Sequence, residues 1–270
     1  MEITLRILCL LVGYLLGSFL TAECIARLLT GRSACDLGSG NPGMANIMAT
    51  LGKGPGFAVL AGDVAKTVLA CGLCWLLAGP VLGHTALLYA GAGAISGHNC
   101  SLWHKGWGGK GVAVTCTWLI LYLPVTGALC CLAGGLAVLG LGYLPLGAVL
   151  IPTLAVPIAW VQYGPESGII LLLAAAMMFW RHKNGLHRIF LGQEKQFFRP
   201  KSREYHTSAG QKKQFCAEKQ TEKRQKIKSL KKSEKNSKKV LTFGHLPAII
   251  IDVAAATASA TGFNKLGMAR

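Results

Sequence analysis

Charge is what this 270-residue chain has little of: Asp, Glu, Lys and Arg make up 14%, and the acids number only 11. A soluble domain carries about a quarter charged residues, so a water-facing globular protein does not fit. The scarcity is uneven. Residues 195–241 hold 16 Lys or Arg against 4 Asp or Glu, so most of the net +17 sits there and the rest is close to neutral. Paired cysteines are also missing. Of 10 cysteines, Cys71 and Cys74 have a metal-like or redox-like spacing but no second pair nearby. Cys9, Cys24, Cys116, Cys130 and Cys131 lie in apolar runs, where they act as small hydrophobes. Neither a disulfide framework nor a zinc site is supported, and no metal or cofactor is implied. No small-residue cleavage site stands out in the first apolar run, which therefore reads as a retained span and not a removed leader.

What the chain does have is apolar sequence, 52% of it, with a mean hydropathy of +0.44. This predicts an all-α, polytopic membrane bundle. A first span covers Ile3 to Leu29, with Glu23 and Arg27 paired at i, i+4 as it leaves the bilayer. A second opens at Gly54-Pro55-Gly56 and runs to about Gly79; a third covers His84 to Gly97. Residues 111–180 are apolar, broken at Pro124, Gly134-Gly135, Gly142 to Pro145, Pro152, Pro157 and Gly164-Pro165. Both flanks are cationic, so the number of crossings there is even. Four short ones are preferred to two longer ones, for about seven transmembrane helices in all. Lys and Arg cluster on one side, which puts that side in the cytoplasm and the N-terminus outside. The membrane domain is expected over 1–196. Residues 197–270 form a Lys-rich tail too poor in large apolar residues to fold, suited to an anionic leaflet and lacking any recognisable nucleic-acid module. Residues 246–260, with Asp252, form an apolar patch too short to span.

Three polar segments interrupt the apolar pattern on that cytoplasmic side. Gly38-Ser39-Gly40-Asn41-Pro42-Gly43, followed by Asn46, is too rich in glycine and proline for a regular element. It is either a plain loop or a turn whose amides converge on an anion. Gly97-His98-Asn99 with Gly108-Gly109-Lys110-Gly111 forms the second segment, and Arg181 to Glu194 the third. All three are read as one site. Asp63 and Lys66, three apart on one face of the second span, are costly at that depth. They either steady helix packing or line and support the site.

These segments in this order resemble the acyl-phosphate-dependent glycerol-3-phosphate acyltransferases of bacteria, the PlsY family, over about three quarters of the chain. The resemblance implies transfer of an acyl group from acyl phosphate to the 1-hydroxyl of glycerol 3-phosphate, in the bacterial cell membrane. It places Ser39, Lys110, His182 and Asn184 in catalysis. Gly38, Gly40, Asn41, Gly43, Asn46, His98, Gly108, Gly109, Gly111, Arg181 and Arg188 fall to substrate binding, with Asp63, Lys66 and Glu194 in support. Physically, two phosphorylated substrates and a developing oxyanion call for amides, a hydroxyl and cations in a partly dehydrated place. Departing phosphate can take the hydroxyl proton; His182 and His98 are the alternative bases, though each reads more readily as a structural hydrogen-bonder. Ser39 reads as a donor, since no Ser–His–acid arrangement is legible. The acyl-phosphate-forming enzyme is a candidate partner. The family's arginine three residues after Asn46 is Ala49 here, its lysine before Gly108 is Trp107, and its asparagine four residues after Arg181 is Gly185, with Asn184 one place early. A small-anion transporter and an inactive scaffold paralogue are the competing readings.

Overall fold

The computed structural model describes residues 1–194 and 196, and every regular element among them is helical. The described residues form nine α-helices. They are α1 (Glu2–Ser18), α2 (Thr21–Thr30), α3 (Met44–Leu51), α4 (Lys53–Leu82), α5 (Thr85–Asn99), α6 (Val112–Tyr122), α7 (Pro124–Leu141), α8 (Leu144–Tyr163) and α9 (Pro165–Phe190). The tail expected over 197–270 and the apolar patch at 246–260 lie outside the described residues.

Four stretches are long and apolar enough to cross a bilayer: Glu2–Thr30, Lys53–Leu82, Pro124–Leu141 and Leu144–Tyr163. Among the described residues four helices follow Gly111, but α6 has only 11 residues. It rises about 16 Å, half of the ~30 Å hydrocarbon core, before turning at Leu123. The turn is tight: a Cβ on Gly127 of α7 would stand 2.2 Å from the Leu119 carbonyl oxygen of α6.

The first span, expected over Ile3 to Leu29, covers Glu2–Thr30 but is broken into two helices. α1 stops at Ser18 and Phe19 is extended, at φ −67° and ψ 119°. The reason lies in two carbonyls that a continuing helix would use internally. The Ser18 carbonyl accepts Ser101 Oγ at 2.6 Å, and the Phe19 carbonyl accepts Lys66 Nζ at 2.7 Å. The second span also runs past its expected end: Pro80 sits inside α4, and the link to α5 is Gly83-His84. A proline one turn from a helix end removes a single backbone bond, which the last turn tolerates.

Small residues let α1 and α5 touch backbone to backbone. Cβ atoms on Gly13 and Gly17 would lie 2.1 and 2.2 Å from the Ala90 and Ala94 carbonyl oxygens, and those on Gly93 and Gly97 would meet the Leu10 and Tyr14 carbonyls as closely. Both helices thus present glycines four apart, the spacing that brings membrane helices into close contact. At the end of the bundle away from the polar segments, Arg6 joins Glu166 at 2.9 Å and Glu2 at 3.0 Å, and Tyr89 donates to Glu166 at 2.9 Å. That cluster ties α1, α5 and α9 together.

Candidate active site

The first polar segment is wound around Asn46, at the start of α3. Its Nδ2 donates to the Ala34 carbonyl at 3.3 Å and the Leu37 carbonyl at 3.0 Å, and its Oδ1 accepts the Ser39 N–H at 2.7 Å. Gly38 is obligatory beside it: φ is +50°, and a Cβ would stand 2.4 Å from Asn46 Oδ1. The expectation that the amides of Gly40 to Gly43 face an anion needs correcting. Gly40 N–H bonds Leu37 O at 2.9 Å and Gly43 N–H bonds Asn41 O at 2.9 Å, so both glycines shape the turn. Among the described residues the amides of Gly38 and Asn41 are left open, as are those of Met44, Ala45 and Asn46 in the first turn of α3. Ser39 is exposed, and its hydroxyl has no protein partner among the described residues.

In the second segment, the His98 carbonyl accepts the Gly109 N–H at 3.0 Å. Close approach is again required: a Cβ on Gly109 would stand 2.2 Å from His98 Nε2 and 3.0 Å from the Pro42 carbonyl oxygen. Through that contact the first and second segments touch. Gly111, at φ +78°, starts α6 and leaves Lys110 half-buried. Burial pushes the Lys110 ammonium below its ordinary value, Glu194 draws it back up, and Arg188 and Arg181 lower it further. A poorly solvated cation of this kind gains most from a phosphate.

Arg181 brings in the third segment. Its guanidinium donates through one nitrogen to the Gly108 carbonyl and, at 2.7 Å, to the Gly109 carbonyl. His182 is buried with Nδ1 3.0 Å from the Met178 carbonyl, so that nitrogen carries the proton. Arg188 and Glu194 pair at 2.5 Å, near enough to Lys110 to influence it. Asn184 is exposed. Gly185 is buried instead, and a Cβ there would stand 2.7 Å from Pro145 Cγ, so α8 leaves no room for the family's asparagine. Ala49 and Trp107 are both exposed.

Asp63 and Lys66 support the site from below. The Lys66 ammonium lies 2.9 Å from Asp63 Oδ1, 2.7 Å from the Phe19 carbonyl and 2.8 Å from His98 Nδ1. Its three protons are thereby matched by three acceptors. His98 is fixed by the same contact and is not free to act as a base.

Two residues do more than the sequence reading assigned them. Glu23 is buried and bonded to the turn before Ser39, not merely to Arg27. Asn99 is wholly buried with both ends of its amide unpartnered, packed on Gly111, and Arg181 Nε is likewise unpartnered. These unspent groups flank the Lys110 turn. A polar side chain in the last helical turn before a Gly-rich segment was the signal available for Asn99. Among the described residues, no three His, Cys, Asp or Glu side chains are grouped to hold a metal ion.

A family model described as glycerol-3-phosphate acyltransferase matches residues 7–192. The chain belongs to that family. A glycerol-3-phosphate acyltransferase of Paramagnetospirillum magneticum is 35% identical over 184 residues, covering 67% of this chain and 89% of the relative. Glycerol-3-phosphate acyltransferase 1 of Lactobacillus johnsonii is 30% identical over 187 residues, covering 69% and 90%. Among solved structures, PlsY, an integral membrane glycerol 3-phosphate acyltransferase, superposes in its glycerol 3-phosphate form with a TM-score of 0.60. The identity is 26%, over 71% of this chain and 95% of PlsY. Its lysophosphatidic acid form gives 0.58 at 25% identity. Family membership makes this chain an integral membrane protein, and the matched region contains the first two polar segments and the third as far as Gly192.

Proposed function

We propose that this chain transfers an acyl group from acyl phosphate to the 1-hydroxyl of glycerol 3-phosphate, releasing lysophosphatidic acid and inorganic phosphate. The observation that carries this reading is the convergence on Gly109, which meets the Pro42 carbonyl of the first segment and bonds Arg181 of the third. Three stretches distant in sequence thus surround Lys110. The family's names and the two bound forms of PlsY support the acceptor and product.

In this mechanism Lys110 holds the acceptor's phosphate, with Arg181 fixing the backbone on which Lys110 stands. Ser39 and the α3 amides receive the acyl phosphate as an anion at a helix N-terminus. The acceptor oxygen attacks the acyl carbonyl carbon, a new C–O bond forms, and the C–O bond to phosphate breaks. The departing phosphate takes the hydroxyl proton, so no side chain has to act as a base. His98, its Nδ1 filled by Lys66, supports that assignment by being unavailable, while buried His182 is held through Nδ1–H and keeps Nε2 open as the alternative base. Asn184, exposed on the α9 face that carries Arg181, is a substrate contact at most. The machinery occupies residues 1–196 in a bacterial inner membrane, N-terminus outside and site cytoplasmic, with 197–270 at the anionic leaflet.

Purified protein in liposomes, supplied with acyl phosphate and labelled glycerol 3-phosphate, tests this. Labelled lysophosphatidic acid that disappears in Lys110→Ala and Ser39→Ala is the expected result. Anion flux without product means a transporter, and neither product nor flux means a scaffold.

A further inference from the structure

Glu23 takes no part in the chemistry above, yet its carboxylate joins three segments at the cytoplasmic end of the bundle. It is 4% exposed, on α2. Oε2 accepts Ser33 Oγ at 2.9 Å and the Ala34 N–H at 2.8 Å. Oε1 accepts Arg27 Nε at 2.6 Å, and His104 Nε2 stands 3.6 Å from it. Ser33 and Ala34 begin the turn that leads to Ser39, and His104 lies in the loop between α5 and Lys110. The pairing with Arg27 alone does not explain the burial. Arg27's side chain is 61% exposed, and an exposed partner contributes little. A buried carboxylate persists when its oxygens are filled, and here the bonds from outside its own helix come from the Ser33–Ala34 turn, with His104 of the second loop standing 3.6 Å away.

The Ala34 backbone shows how this reaches the site. Its N–H is held by Glu23 and its carbonyl by Asn46 Nδ2, while Asn46 Oδ1 holds the Ser39 N–H. A shift of Glu23 is therefore passed through one residue's backbone and one amide side chain to the serine.

We infer that Glu23 is a positioning residue, setting Ser39 through Ala34 and Asn46 and keeping the Lys110 loop in register with it through His104. The inference rests on the acyl-transfer reading. Lys110 itself is fixed separately, by the bonds from Arg181 to its turn, so loss of Glu23 acts on turnover and not on acceptor binding.

The test uses the full chain in liposomes, with kcat and the glycerol 3-phosphate KM measured for Glu23→Ala, Glu23→Gln and His104→Ala, and unfolding followed by tryptophan fluorescence. Glu23→Ala lowers kcat about a hundredfold, the scale of a misplacement near 1 Å, while KM stays within about twofold. Glu23→Gln keeps an oxygen acceptor for the Ala34 N–H and restores most of kcat. His104→Ala leaves the bonds to Ser33 and Ala34 intact and lowers kcat about tenfold. Folded Glu23→Ala with unchanged kcat, or a folded Gln variant as slow as the Ala one, overturns the inference. Should Glu23→Ala not fold, His104→Ala decides alone, and unchanged kcat there overturns it. An inactive wild type would sink the acyl-transfer reading instead, a result distinct from an active wild type indifferent to Glu23.

Discussion

Lys66 donates to His98: the ammonium lies 2.8 Å from Nδ1 across the α4–α5 contact, and both side chains are buried. The same ammonium neutralises Asp63, so the three groups stand or fall together. Lys66→Met leaves a carboxylate alone in the bundle, and removal of one partner of a buried pair costs about 3–5 kcal/mol. The double variant Asp63→Asn/Lys66→Met removes both charges and recovers part of that loss. Unfolding midpoints in detergent check both. A double variant no more stable than Lys66→Met would show that the unpaired Asp63 carboxylate is not what destabilises the single variant.

Lys110 gives the site a pH dependence with a definite sign. Burial lowers its folded pKa, the charged ammonium binds phosphate, and so acceptor affinity is present below that pKa and lost as pH rises through it. The alkaline fall of kcat/KM for glycerol 3-phosphate therefore begins below the ordinary lysine value of about 10.4. In the window between the two values the unfolded chain binds more protons than the folded one, so stability rises with pH there. Lys110→Arg keeps its charge and removes the fall, at the cost of a poorer fit. A profile unchanged by that substitution would assign the titration to another group.

Much of this arrangement was legible because membrane helices announce themselves. Apolar runs ending in Gly-rich or cationic segments predicted four helices after Gly111, and the order of the polar segments pointed to the family. The break at Phe19 was not legible, since it depends on Ser101 and Lys66 reaching carbonyls from distant helices. The role of Gly40 and Gly43 was misread for a related reason: composition says that a turn is there, but not which of its amides are spent inside it. Glu23 was hidden by Arg27, a partner one turn away that sufficed to explain it on the sequence alone.

Arg181 holds two consecutive carbonyls of the Lys110 turn from a helix some 70 residues further along the chain, separations of 73 and 72 positions. Arg181→Lys replaces that one nitrogen by an ammonium on a shorter side chain, which reaches the two carbonyls less well. Arg181→Lys should lower kcat/KM for glycerol 3-phosphate about tenfold and Arg181→Ala about a hundredfold, because the phosphate-binding turn loosens. The loss falls mainly on KM, the reverse of the pattern at Glu23. Steady-state kinetics over a range of glycerol 3-phosphate concentrations separates the two.

The family match ends at residue 192, before the Lys-rich stretch begins. Deleting 201–270 is therefore expected to leave turnover per folded molecule within about twofold, and to weaken association with anionic lipid by about 1 kcal/mol for each Lys or Arg that had been near the surface. Turnover in neutral and anionic liposomes checks both halves. A folded, inactive truncation would place part of the site in the tail.

Gly185 is the departure from the family pattern that the packing explains. The Pro145 ring, in the first turn of α8, leaves 2.7 Å where an asparagine would need its Cβ, and a proline at that position cannot move aside by changing rotamer. Gly185→Asn alone should destabilise the protein by about 1–3 kcal/mol, as overpacking does, without raising turnover. Combining it with Pro145→Ala removes the obstructing ring carbons and recovers the stability. If the carboxamide then reaches substrate, turnover of the double variant exceeds that of the wild type. A Gly185→Asn protein as stable as the parent would show that α8 gives way, and the glycine would then have no steric explanation.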